Sequence, residues 1–115
     1  MVHDRNVIKK FLFIEHSALK RGLDFDLSIK TVRALLNKKT CAYTGVTFSA
    51  NEKSPSYKTF DRVDNTKGYV DGNVVACTRF INELKDRFEL KDLTSMISKF
   101  QKYERKRQEN SSSVR

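Results

Sequence analysis

Between Asp4 and Arg21 apolar side chains return at helical intervals: Val7, Ile8, Phe11, Leu12, Ile14, Ala18 and Leu19. That spacing predicts an amphipathic helix, because positions three and four apart share one face. Asp4 is placed to cap its start and Gly22 its end. "DFDLS" then predicts a short extended link. Ser28 is a predicted N-cap for a second helix, "IKTVRALLNKK", with Val32, Leu35 and Leu36 on one face. Lys38 and Lys39 near its end suit the negative pole of the helix dipole. The next stretch, "TCAYTGVTFSANEKSPSY", has no period. Gly45, Ser49, Asn51 and Pro55 predict a loop with turns, anchored by Tyr43, Val46 and Phe48.

The pattern changes at "KTFDRV" and "YVDGNVVACT". Both read as strands, the second more clearly because "NVVAC" is short and β-branched. Between them "NTKG" and "VDGN" supply turn chemistry, with Gly68 and Gly72 free to take positive φ. A third helix is predicted from near Thr78, with Phe80, Ile81, Leu84 and Phe88 on one side and Thr78, Arg79, Asn82, Lys85 and Asp86 on the other. A fourth carries the stripe Leu93, Met96, Ile97, Phe100 and Tyr103 before the disordered-looking "NSSSVR". The expected architecture is one α+β domain. It comprises an N-terminal helical segment (1–40), a hairpin-helix core (41–88), a C-terminal helix (89–108) and a disordered tail (109–115).

Charge narrows the choice of partner. The 115 residues contain 23 Lys and Arg against 14 Asp and Glu, a net +9 that folding does not require. Nucleic acid is the leading partner, since each phosphate met by a cation releases a counterion. An acidic protein surface or an anionic membrane is second. No run approaches the ~20 apolar residues of a membrane span, and "MVHDRNVIKK" has no signal-peptide core, so a cytoplasmic protein is expected. Cys41 and Cys77 are too few for a disulfide framework or a closed zinc site. Two free thiols are the simplest reading, with a Cys41–Cys77 bridge left open.

The candidate chemistry lies between Asp61 and Lys85. If the third helix packs its apolar side on the hairpin, Asp61 of the first strand and Asn82 of the helix converge. A carboxylate and an amide carbonyl are hard oxygen donors, suited to Mg²⁺ or Mn²⁺, of which Mg²⁺ takes few protein ligands and keeps its waters. Such an ion would polarise a phosphodiester. Asn73 is placed to fasten the loop by side-chain to backbone bonds. Arg62, Lys67, Arg79 and Lys85 surround the pair as phosphate ligands. The run Lys102, Arg105, Lys106 and Arg107 forms a second set of nucleic-acid contacts.

Taken together, "CAYTG", "DRVDNTKGYVDGNVVAC" and "NELK" resemble the HNH (His-Me finger) endonucleases, in the small form found in bacteriophage genomes. "RGLDFDLS" is similar to the lead-in of those proteins, so the likeness covers about Leu19 to Lys85. It implies a ββα-metal motif, a hairpin and helix clasping one divalent ion. Asp61 then matches the metal-ligand aspartate, Asn82 the last metal ligand and Asn73 the central structural asparagine. The family's water-activating histidine follows the aspartate; here that place holds Arg62, as in the Asp-Arg variant of the motif. Arginine stays protonated and is no general base, which leaves Asp64 or a metal-bound hydroxide. Thr44 stands where a second cysteine would complete a zinc-binding pair with Cys41, so no structural zinc is expected. The implied function is DNA phosphodiester hydrolysis in a host cytoplasm, duplex first and RNA as an alternative substrate. The other reading is a catalytically silent relative that binds nucleic acid or inhibits a host protein.

Overall fold

The computed structural model describes residues 2–113. They fall into two compact units, Met1–Asn82 and Glu83–Arg115, each taken here by itself. The elements are α1 (Asp4–Lys20), β1 (Phe25–Asp26), α2 (Ile29–Leu36), β2 (Lys58–Arg62), β3 (Tyr69–Val70), β4 (Val74–Thr78), α3 (Arg79–Arg87) and α4 (Leu90–Ser113). The chain is therefore mixed α and β, as its patterning leads one to expect.

The cap of α1 is His3 rather than Asp4: its Nδ1 accepts the Arg5 N–H at 3.2 Å. At the far end Gly22 takes φ 69°, and the Leu23 N–H reaches the Ala18 carbonyl at 2.8 Å. This is the turn by which a glycine closes a helix. Ser28 caps α2, accepting the Thr31 N–H at 3.0 Å. α2 stops at Leu36, short of Lys38 and Lys39. The cation on its last carbonyls is Lys58, whose Nζ donates to Leu36 O at 2.6 Å and Leu35 O at 3.3 Å.

β2 and β4 form an antiparallel hairpin with Asp61 opposite Val75 and Thr59 opposite Cys77. Side chains alternate across a strand. Phe60, Val74 and Ala76 therefore enter one core with Val7 and Ile14 of α1, Leu27, and Val32 and Leu35 of α2. Thr59 and Asp61 face the other way. The hairpin connection is long because β3 leaves it to pair in parallel with β1, Phe25 opposite Tyr69 and Asp26 opposite Val70.

That excursion explains two glycines differently. Gly72 takes φ 86° in the turn whose Asn73 N–H reaches Val70 O at 3.0 Å. Gly68 is not at positive φ, which corrects the expectation from sequence. It is glycine because a Cβ there would lie 2.2 Å from the Asp24 carbonyl oxygen, closer than atoms can approach. Cys41 and Cys77 are buried and not joined by a disulfide.

Asp71, in the same turn, accepts the Ser28 N–H at 3.1 Å at the start of α2. That backbone bond, helped by the Thr31 hydroxyl, holds its carboxyl below the usual aspartate range. The stability it adds is present above the unfolded pKa and disappears as pH falls through the lower folded one. Asp71→Asn is expected to lower the melting temperature at neutral pH and to flatten the loss on acidification. Melts between pH 7 and pH 3 followed by circular dichroism measure it; parallel wild-type and variant curves would count against it.

Within the second unit, α4 runs to Ser113, past residue 109 where a disordered tail is expected. Val114 and Arg115, the end of that tail, lie outside the described residues.

Candidate functional site

The polar face of the hairpin is organised around Asp61, only 6% exposed. Burial of a carboxylate needs donors, and one comes from the "CAYTG" turn: Tyr43 Oη donates to Asp61 Oδ2 at 2.8 Å. The turn is closed by Gly45 N–H to Cys41 O at 2.9 Å and fastened to β4 by Ala42 N–H to Ala76 O at 2.9 Å. Burial pushes the Cys41 thiol up. Hydrogen bonds from the Thr44 side chain and the backbone of Thr78, Tyr43 and Thr44 outweigh it and bring the thiol below its ordinary value.

Asn82 reaches the same face from α3. Its Nδ2 donates to Thr59 Oγ1 at 3.2 Å, and Thr59 Oγ1 donates to the Cys77 carbonyl at 3.2 Å. A hydroxyl has one proton; Thr59 gives it to Cys77 and so must accept from the nitrogen of Asn82. The carbonyl oxygen of Asn82, the hard donor, is thereby turned away from Thr59. Thr59 and Asp61 are one strand repeat apart, about 7 Å. The hairpin thus brings Asp61, Asn82 and Tyr43 to one face.

Arg62 goes elsewhere. As the strand neighbour of Asp61 it points to the opposite face. Its Nη1 donates to Lys67 O at 2.9 Å and Asn65 O at 3.1 Å, with the guanidinium 5.6 Å from the Tyr69 ring centre. Asn73, buried, bonds the connection at three points. Its Oδ1 accepts the Asp64 N–H at 2.9 Å, and its Nδ2 donates to Asp64 O at 3.1 Å and Gly68 O at 2.9 Å. Asp64 accepts the Thr66 hydroxyl at 2.6 Å and the Thr66 N–H at 2.9 Å. These bonds, the side-chain one first, hold its carboxyl below the usual range and make it a weaker base.

Of the other cations, Lys67 is exposed beside this loop. Arg79 lies over Tyr57, 5.4 Å from the ring centre. Lys85 belongs to the second unit. There Lys102, Arg105 and Lys106 are exposed on α4, and Arg107 holds Glu104 with Nε at 3.1 and 3.2 Å from its two oxygens. Among the described residues no group of three or more His, Cys, Asp and Glu gathers to hold a metal ion. Nor does any helix there have the length and apolarity to cross a membrane.

Tyr43 is the participant that sequence reasoning took only as a loop anchor. Its link to Asp61 crosses 18 positions and no periodicity carries it.

Among curated proteins the chain is similar to the "uncharacterized 29.0 kDa protein in dda-modA intergenic region" of Enterobacteria phage T4, at 30% identity over 89 residues. That alignment takes in 77% of this chain but 36% of the phage protein, so the chain spans about a third of that relative's length. No family model matches the chain, and no solved structure matches it.

Proposed function

We propose that the chain is a phage-encoded, HNH-type endonuclease that hydrolyses DNA phosphodiester bonds with one Mg²⁺ or Mn²⁺ in the host cytoplasm. One observation carries the reading. Asp61 of β2 and Asn82 of α3, a carboxylate and an amide, share one face of the hairpin: the Asn82 amide nitrogen bonds Thr59, which lies on the same side of β2 as Asp61. Their donor types fit a hard divalent cation that completes its shell with water. When bound, such an ion polarises a phosphoryl oxygen and steadies the departing one.

The chain's own residues do the rest. Tyr43 fixes the Asp61 carboxylate. Asn73 sets the shape of the connection, and exposed Lys67 adds charge for a phosphate. Arg62 supports that connection through the Asn65 and Lys67 carbonyls and is no base. Asp64, with its lowered pKa, is a poor substitute. Missing general-base assistance costs about 10²–10⁴-fold in rate, so the enzyme is slow. Duplex DNA is the first substrate, and RNA the alternative.

The position and engagement of Arg62 also favour a second reading, a DNA-binding relative without cleavage or an inhibitor of a host protein. Plasmid nicking separates them. Cleavage in millimolar Mg²⁺ or Mn²⁺ that EDTA abolishes is the expected result. DNA retention on a gel with intact plasmid at every metal concentration would assign the chain to the second reading.

A further inference from the structure

The opposite side of β2 carries a feature the metal face does not use. A cavity of about 950 Å³ lies between α1, the end of α2, the segment 47–52 and β2. Lys9, Lys10, Lys38, Lys39 and Lys58 line it, against one acidic residue, Glu52. Among the described residues none of these five lysines is in a salt bridge. Lys58 is engaged with the Leu35 and Leu36 carbonyls; gathering the other four like charges around it without counter-ions opposes folding and favours a polyanion in the groove.

The walls are also aromatic: Phe13, Phe48, Tyr57 and Phe60. The Lys10 ammonium sits 4.9 Å from the Phe60 ring centre and 5.3 Å from that of Phe13; the Lys58 ammonium sits 5.1 Å from that of Phe48. Phe13 is 66% exposed, so one large ring lies open to solvent beside the cations. Burial pulls both Lys10 and Lys58 below the usual lysine range, consistent with ammonium groups held against apolar walls rather than in water.

We infer that this groove is a binding site for single-stranded nucleic acid, its phosphates met by the lysines and an unpaired base stacked on Phe13. Cations that follow a backbone together with open aromatic faces are how single strands are held. A duplex keeps its base faces stacked inside and offers Phe13 nothing. An acidic peptide would use the lysines but has no flat face for the ring. The volume is within the range of small-ligand pockets, roughly 300–1,000 Å³, enough for one or two nucleotides.

The inference goes beyond the metal reading, and the two are separable. Lys58 and Phe60 alternate with Thr59 and Asp61 along one strand, so the groove and the Asp61 face lie on opposite sides of the hairpin. The test is fluorescence anisotropy in EDTA with a labelled oligothymidylate and with a duplex of the same length. Wild type is expected to bind the single strand without metal, whatever affinity the Asp61 face has for the duplex. Phe13→Ala should weaken that binding about five-fold or more, the low end of one base–aromatic stack. The double variant Lys38→Gln/Lys39→Gln should lower the slope of log affinity against log salt by about 1.4, two single-strand phosphate contacts. Asp61→Ala should change neither. A Phe13→Ala protein that binds the single strand like wild type, an equal loss of duplex affinity in that variant, or binding of labelled oligoglutamate without oligothymidylate binding would each overturn it.

Discussion

Asp61→Ala is expected to cut metal-dependent nicking about 10²-fold or more, since metal stabilisation of a phosphoryl transition state is worth several kcal/mol. The change removes the carboxylate on the face that Asn82 shares. Asn82 and water would be left to hold the ion, and one neutral amide is a weak ligand set for a divalent cation. Affinity for DNA should move little, because the long-range attraction comes from the net +9 of the chain and not from one carboxylate. Folding is the competing explanation for lost activity. Tyr43, whose hydroxyl loses its acceptor, is exposed and can turn to water. Asp61→Asn keeps an oxygen acceptor for Tyr43 and removes the charge, exchanging the second carboxylate oxygen for an amide NH2. Both variants should melt close to wild type while both lose cleavage. An Asp61→Ala protein that nicks plasmid at the wild-type rate in Mg²⁺ would remove the metal reading and leave the groove on the other side of β2 untouched.

What the sequence made legible, and what it did not, divides by the range of the interaction. Ser28 as a cap and Gly22 as a helix stop are local chemistry, settled within four residues, and the structure contains both. The two strands and the helix after them are legible for the same reason: β-branched runs, turn residues and a period of 3.6 are short-range signals. Contacts across the fold are another matter. Lys58, in a strand, neutralises the end of α2, a role that sequence position alone assigns to Lys38 and Lys39. β1 and β3 are two residues each and pair in parallel across more than forty positions, so neither has a pattern to recognise. Gly68 illustrates the limit well. Its composition argument points to a turn, while its actual constraint is the Asp24 carbonyl opposite, which belongs to a different part of the chain.

The candidate site divides in the same way. Asp61 and Asn82 could be named because residue type and spacing suggest them. Tyr43 could not, since its bond to Asp61 depends on the "CAYTG" turn being hooked onto β4. Arg62 was placed beside a phosphate by its position next to Asp61. Alternation along β2 then sends it to the other face, where two loop carbonyls and the Tyr69 ring receive it. The groove was out of reach altogether. Its lysines come from α1, the residues after α2, and β2, and its aromatic rings read along the chain as core or anchors.

Asn73→Ala is expected to lower stability by about 3 kcal/mol, one buried and two part-buried hydrogen bonds at roughly 1 kcal/mol each. For a unit of this size that is a fall in melting temperature on the order of 10 °C or more. The side chain is 6% exposed, so water cannot easily replace it at the Asp64 N–H or at the Asp64 and Gly68 carbonyls. The loss should spread along the connection. Gly68 holds its close approach to Asp24 beside the β1–β3 pair, and Arg62 depends on the Asn65 and Lys67 carbonyls keeping their places. A second variant separates shape from chemistry. Asn73→Asp keeps the acceptor for Asp64 N–H but turns a two-proton donor into a carboxylate facing two carbonyl oxygens. Burial and those oxygens raise the pKa of the introduced carboxyl. Its cost is therefore greatest at neutral pH and eases as pH falls and the group takes up a proton, whereas the deficit of Asn73→Ala carries no such pH dependence. Thermal melts of both variants at pH 7 and pH 5 read the difference. If Asn73→Ala melts within two or three degrees of wild type, by about half a kcal/mol, the connection between β2 and β4 is held by its backbone bonds alone and Asn73 has no special part in shaping it.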